Sequence, residues 1–149
     1  MDDSIVVGTD GSETAKQAVT EAVRLAKALG AELHVVSAFE PLRGAHVTGA
    51  PAGAAKVWAP LPDDKVEATL SEAAAGVRLA DVKVTTHAIR EDPADALLSV
   101  ADKVGATMIV VGSKGMHGAR RLALGNVPNK VSHRASCNVL IVATGHPAG

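Results

Sequence analysis

A chain of 149 residues, 47% of them hydrophobic and carrying a formal net charge of −1, is long enough for one domain with its own core and too apolar to be disordered throughout. Aromatics make up 1% of the chain (Phe39 and Trp58), which excludes the stacked platforms that hold single-stranded bases, and the scattered charges form no basic field for nucleic acid or an anionic membrane. Cys137 stands alone, which excludes an intrachain disulfide framework or a cysteine zinc site, and no run approaches the roughly 18 apolar residues of a membrane span.

Met1-Asp2-Asp3 leads straight into an apolar run with no basic or long apolar leader, so the expected location is the cytoplasm. Ser4 to Thr9 reads as a buried strand ending in the turn Asp10-Gly11. A helix follows with Ala15, Val19, Ala22, Val23, Ala26 and Leu29 near the helical period. Asp10 with Glu13 resembles a capping arrangement at its start, and Gly30 closes it. Glu32 to Phe39 is the second predicted strand. Residues 40–62 are rich in Pro, Gly and Ala without a steady period, longer than the roughly 12–15 residues of an ordinary loop, and read as a flexible loop insertion.

A second helix starts near Asp63 or Asp64, with Val66, Leu70, Ala73, Ala74 and Val77 on one face. Val82 to Ile89 alternates and predicts a third strand nearer an edge. Asp92-Pro93 opens a third helix, whose apolar face runs Ala94, Leu97, Leu98, Ala101, Val104 and which Gly105 ends. Thr107 to Val111 is wholly apolar and predicts a central fourth strand. After a glycine-rich loop, a short helix around Val127–Ala135 leads into a fifth strand, Asn138–Ala143. This alternation, with no internal repeat and no linker, predicts one α/β domain over residues 1–149, an open parallel sheet with helices on both faces. Ligands of such sheets lie beyond the carboxyl ends of the strands where the strand order reverses, which directs attention to the loops after the first and fourth strands.

The fourth strand runs into Gly112-Ser113-Lys114-Gly115, then nine residues, then Gly125-Asn126 at a helix start. Glycines let main-chain N–H groups converge on an anion, and a helix N-terminus adds further free N–H groups and partial positive charge. Lys114, Arg120 and Arg121 lie in or beside this loop and suit a polyphosphate tail. On spacing alone a plain turn accounts for the glycines equally well.

The pattern Gly-x-x-Gly-x9-Gly followed by a small polar residue is similar to the ATP-binding motif of universal stress proteins. Val7-Gly8-Thr9-Asp10-Gly11-Ser12 resembles that family's opening, and Val131 to Val142 its close. Asp92 to Leu98, followed by Gly105 to Gly112, also matches, so the resemblance spans nearly the whole chain outside 40–62. It implies a five-stranded sheet of order 3-2-1-4-5, like that of the adenine nucleotide alpha hydrolases, with a nucleotide across the ends of the first and fourth strands. It further implies that the backbone around Gly112, Ser113, Lys114, Gly115, Gly118, Arg120, Gly125, Asn126 and Val127 holds ribose and phosphates. Thr9 and Asp10 would face the ribose or an accompanying metal, and Ala38 and Phe39 would wall the adenine. ATP, with Mg2+ brought by its phosphates, is the implied ligand, and AMP and cyclic AMP are the alternatives. The resemblance also implies a homodimer through Asn138–Ala143, an unidentified protein partner and a role in stress response, with nucleotide ordering residues 112–125 and 40–62.

Three residues at two places depart from the family pattern. Asn126 stands where Ser or Thr is usual, and Pro128 removes one N–H from the array, leaving those of Asn126, Val127 and Asn129. Glu91 replaces a glycine before the third helix and, if turned toward the pocket, would disfavour phosphate. These departures support a competing reading, a dimeric interaction module that has lost nucleotide binding. Slow ATP hydrolysis is a third reading, but no activating base can be assigned to Ser12 or Ser113, and the P-loop Gly-Lys-Ser/Thr is missing. The expectation is a regulator and not an enzyme. His34 and His87 read as packed or surface histidines, His117 as a loop histidine, His133 and Arg134 as the exposed side of the last helix, and Cys137 as a small buried hydrophobe.

Overall fold

The structure, a computed structural model, describes residues 3–39, 64–113 and 126–144. The 40–62 segment, with Trp58, falls outside them. Among the described residues five strands and four helices alternate: β1 (Ser4–Gly8), α1 (Glu13–Leu29), β2 (Glu32–Ala38), α2 (Asp64–Leu79), β3 (Val84–Ile89), α3 (Pro93–Val104), β4 (Met108–Gly112), α4 (Asn126–Arg134) and β5 (Asn138–Val142). All four strand pairings are parallel and the order is β3-β2-β1-β4-β5, as the resemblance implied, with β3 at an edge and β4 inside.

Each helix boundary has a local cause. Gly30 and Gly105 end α1 and α3 with φ of 66° and 65°, and their N–H groups donate to Ala26 and Ala101 carbonyls. Asp92 caps α3, accepting from the Asp95 N–H at 3.3 Å, with Pro93 in the first turn, where a missing N–H costs nothing. The cap of α1 differs from expectation. Ser12 is its N-cap, accepting from the Ala15 N–H at 3.2 Å, while Asp10 accepts from the Ser12 N–H one step earlier.

Strand and helix limits differ from the predicted ones by one or two residues. Val82 is not in β3, because its N–H closes the end of α2 on the Val77 carbonyl. Thr107 stands outside β4, its N–H donating to the Ser4 carbonyl. Ala143 falls beyond β5, and α4 begins at Asn126 instead of Val127 and stops at Arg134.

The sheet separates two apolar layers. On one face α1 covers β1 and β4 and α2 covers β2 and β3, enclosing Ile5, Val7, Ala18, Ala22, Leu33, Val35, Leu70, Val77 and Val110. On the other, α3 covers β1 and β2 and α4 covers β4 and β5, around Val6, Val36, Leu97, Val100, Ile109, Val111 and Val131. The buried stripe of α1 runs through Ala18, Ala22 and Ala26, while Ala15 is half-buried and Leu29 is 52% exposed; the predicted face was rotated by part of a turn. Alanines there let α1 approach the sheet closely, which β1 and β4 need because their own side chains are Val and Ile.

At the end of α2, Asp81 adopts φ of 65°. The Val82 N–H bonds the Val77 carbonyl at 3.3 Å and the Asp81 N–H bonds that of Arg78 at 2.9 Å, the Schellman pattern that glycine usually completes. Replacing Asp81 with Gly removes a left-handed penalty of about 1 kcal/mol. Asp81→Gly is therefore expected to raise the urea midpoint without changing the slope of the transition.

Candidate functional site

The strand order reverses at β1. From β1 the chain goes outward through β2 to β3, while β4 and β5 lie on its other side. Among the described residues a cleft opens at the carboxyl ends of β1 and β4. Its floor is Gly8, Thr9, Val111 and Gly112, its walls are Ser12, Thr14, Ala15 and Ala18 of α1, Pro93 and Leu97 of α3, and Val127 and Pro128 of α4, and Val36 and Ala38 of β2 close one end. Asp10 stands at the rim, exposed. An apolar interior with a few polar groups at one side suits a flat heterocycle carrying a polar tail.

Glycine makes this geometry possible at two positions. A Cβ on Gly8 would stand 3.2 Å from a Leu97 methyl carbon, so the bare backbone lets α3 come down against the end of β1. Gly11 has φ of 85°, and a Cβ there would lie 3.0 Å from the Thr69 hydroxyl of α2. Its N–H donates to the Thr9 hydroxyl at 3.1 Å, fixing the turn that aims Asp10. Thr9 is itself buried, and its N–H donates to the Val36 carbonyl at 2.9 Å.

The helix ends around the cleft differ electrostatically. The start of α1 is satisfied by Asp10 and Ser12 and carries Glu13 in its first turn. The start of α3 holds Asp92 and Asp95, and Lys130 of α4 bridges both, at 3.3 Å and 3.1 Å. Partial burial raises the Asp92 pKa, but the Asp95 N–H and the Lys130 ammonium outweigh it and hold this carboxyl below the usual range. The first turn of α4 has no acidic residue, and Val127 and Pro128 bring it to the cleft wall. Its leading N–H groups, those of Asn126, Val127 and Asn129, have no partner within the helix. Lys130 thus anchors against α3 the helix whose amino end is suited to an anion.

Of the sequence-derived candidates, Thr9, Asp10, Ala38, Gly112 and Val127 line this one cleft, and Asn126, which is exposed, stands next to Val127 at the start of α4. Phe39 does not line it. Its N–H is bound to the Ile89 carbonyl at 2.9 Å, one residue past the end of β2. Ser113 is committed to the sheet: its N–H donates to the Val142 carbonyl at 2.7 Å and its hydroxyl accepts from the Thr144 N–H at 3.1 Å. Lys114, Gly115, Gly118, Arg120 and Gly125, with His117 and Arg121, lie outside the described residues. Glu91 does not line the cleft either, because it accepts from the Ser99 hydroxyl at 3.2 Å along α3.

Gly8, Ser12, Ala15, Pro93, Leu97 and Pro128 are wall residues that the sequence reasoning did not assign to the site. The signal was present for two: Pro93 and Leu97 are four apart on the opening turns of α3 and share a face. Cys137 is half-buried against the α3–α4 layer, and burial, with Asp102 nearby, pushes its thiol pKa up, away from thiolate chemistry.

The model of the universal stress protein family matches residues 1–143. Universal stress protein Rv1636 of Mycobacterium tuberculosis is 36% identical over 149 aligned residues, covering 95% of this chain and 96% of the relative. A crystal structure of a universal stress protein in complex with cAMP superposes with a TM-score of 0.70 at 32% identity, covering 96% of this chain and 98% of the other. The universal stress protein from Archaeoglobus fulgidus has the same fold, with a TM-score of 0.72 at 22% identity and coverage of 95% and 98%.

Gly11→Ala tests how the rim is built. The left-handed φ costs about 1–2 kcal/mol for a residue with a Cβ. The crowded Thr69 hydroxyl adds to that, so denaturant unfolding is expected to show a loss of at least this size. The double variant with Thr69→Ala should recover part of it.

Proposed function

The chain belongs to the universal stress protein family, and from that premise we propose that it is a regulatory protein binding an adenine nucleotide, with ATP as the ligand that the resemblance of its glycine motif to that of the family favours. The observation that carries this reading is the cleft itself, which lies at the strand-order reversal, apolar inside and bounded by the unacidic start of α4. The base packs between Val36, Ala38 and Leu97. The ribose hydroxyls meet Asp10, and the phosphates run toward the amino end of α4 and away from Asp10, whose carboxylate repels them unless Mg2+ intervenes.

A second reading, cyclic AMP, has two observations in its favour. A relative 32% identical to this chain was solved with that ligand. Pro128 also removes one donor from the first turn of α4, which suits a single phosphate better than a long tail. Glu91, held by Ser99 along α3, does not oppose either ligand.

The protein acts as a sensor without turnover, in the cytoplasm, and as a homodimer. Support for the dimer is the free outer edge of β5: that strand pairs only with β4 among the described residues, and Val139 to Val142 are half-buried. Sedimentation at micromolar concentration is expected to give twice the chain mass; a monomer removes the dimer and leaves the nucleotide reading intact.

Isothermal titration with Mg-ATP and with cyclic AMP, together with chromatography of what the denatured protein releases, tests the nucleotide reading. Heat with at least one adenine nucleotide is expected; no heat with either, and no released nucleotide, defeats it. Asn126→Asp sharpens the test. A carboxylate at the start of α4 favours the helix but repels an incoming phosphate, so stability should hold while affinity falls by about tenfold or more, roughly 1.4 kcal/mol.

A further inference from the structure

Two histidines from neighbouring strands meet on the sheet face that α3 shares, toward the β3 edge and away from the cleft. His34 of β2 is 6% exposed, and its Nδ1 lies 3.0 Å from Nε2 of His87 on β3, with ring centroids 5.2 Å apart. Glu32, two residues before His34 on the same strand face, places a carboxylate oxygen 3.7 Å from His34 Nε2. Thr85 of β3 donates its hydroxyl to the other oxygen of that carboxylate at 3.1 Å. From α3 the charged group that faces the pair is Lys103.

These distances restrict which tautomers are favourable. A nitrogen-to-nitrogen separation of 3.0 Å is a hydrogen bond, so one of the two facing nitrogens carries a hydrogen and the other a lone pair. If His34 Nε2 were bare, its lone pair would face the Glu32 carboxylate. The favourable arrangement has hydrogen on His34 Nε2, leaving His34 Nδ1 to accept from His87 Nε2–H. One added proton is accommodated on His87 Nδ1 or by exchanging tautomers, and Glu32 offsets the charge. A second proton sets two N–H groups and two cations against each other at 3.0 Å, and the contact must open.

We propose that the His34–His87 pair is a proton-sensitive latch, which ties edge strand β3 to β2 when neutral and releases it when acidified. Both rings titrate below the ordinary value of 6.5. For His34 burial is the main cause, opposed by Glu32; for His87 burial is followed by His34 and Lys103, again opposed by Glu32. The sign follows directly. Between 6.5 and the lowered folded values the opened chain binds more protons than the closed one, so the latch is fully effective above pH 6.5 and weakens as pH falls below it. The two rings act as one titrating unit, taking up protons in two coupled steps.

Histidine NMR titration combined with hydrogen exchange of the β3 amides, corrected for intrinsic rate and referenced to β1, tests the latch. In the parent both rings should titrate below 6.5, and β3 protection should fall in the same window, by up to about tenfold per proton per pH unit. His87→Gln keeps a side chain able to bond His34 Nδ1 but takes no proton, so its β3 protection should lose one proton's share of the pH slope. Glu32→Gln retains the Thr85 bond and removes the charge that favours the cations, so both midpoints should move to lower pH. Titration of both rings at 6.5 with β3 protection flat, or midpoints unmoved in Glu32→Gln, overturns the proposal.

Discussion

The burial of β1 on both faces is the constraint from which the architecture follows. Ile5, Val6 and Val7 have no exposed surface; Ile5 and Val7 belong to the α1–α2 layer and Val6 to the α3–α4 layer. Each such side chain contributes about 1.5–3 kcal/mol relative to exposure. A strand buried in this way must have a strand on each side and helices above and below, and β1 obtains them from β2 and β4, α1 and α3. Because β2 and β4 lie on opposite sides of β1, the chain crosses over in opposite senses from it, and among the described residues a space is left beyond the ends of β1 and β4. The cleft is thus a consequence of how the core is closed.

Around that cleft the three helix starts differ in charge. Glu13 joins the self-capped turn of Asp10 and Ser12 at α1, and Asp92 and Asp95 with Lys130 complete the start of α3. The start of α4 carries no acidic residue. The field of a helix start uncompensated by carboxylates thus lies at one side of the cleft, and Val36, Ala38 and Leu97 make part of its apolar lining. Lys130 serves both arrangements, since it neutralises the α3 carboxylates and fixes α4 against α3.

The sheet edges complete the picture, and they are built differently. At β3 two polar rings and a carboxylate share one face, and side-chain hydrogen bonds from His87 and Thr85 reach His34 and Glu32 of β2. At β5 the side chains are apolar: Leu140 and Val142 pack against one core layer and Val139 and Ile141 against the other. The described residues hold no group of three or more side chains suited to a metal ion.

What the residues determined without help was local. The period of each helix, the Asp92-Pro93 start, and the Gly30 and Gly105 stops all depend on neighbours within a turn or two, where hydrogen-bond geometry and φ preference act directly. The order of strands was legible through the family resemblance, because separated motifs recurred in sequence order, and the general rule for open parallel sheets pointed to the ends of the first and fourth strands. Side-chain direction was not. That Ser12 and not Asp10 caps α1, that Glu91 turns along α3, and that Ser113 serves β5 depend on which partner comes within reach once the sheet has formed. The histidine pair shows the limit most sharply: His34 and His87 are 53 residues apart, and only the register that sets Val36 beside His87 and His34 beside Thr85 brings their rings together. Periodicity assigns a residue to a face, but tertiary packing fixes the register, and the register decides which polar groups meet.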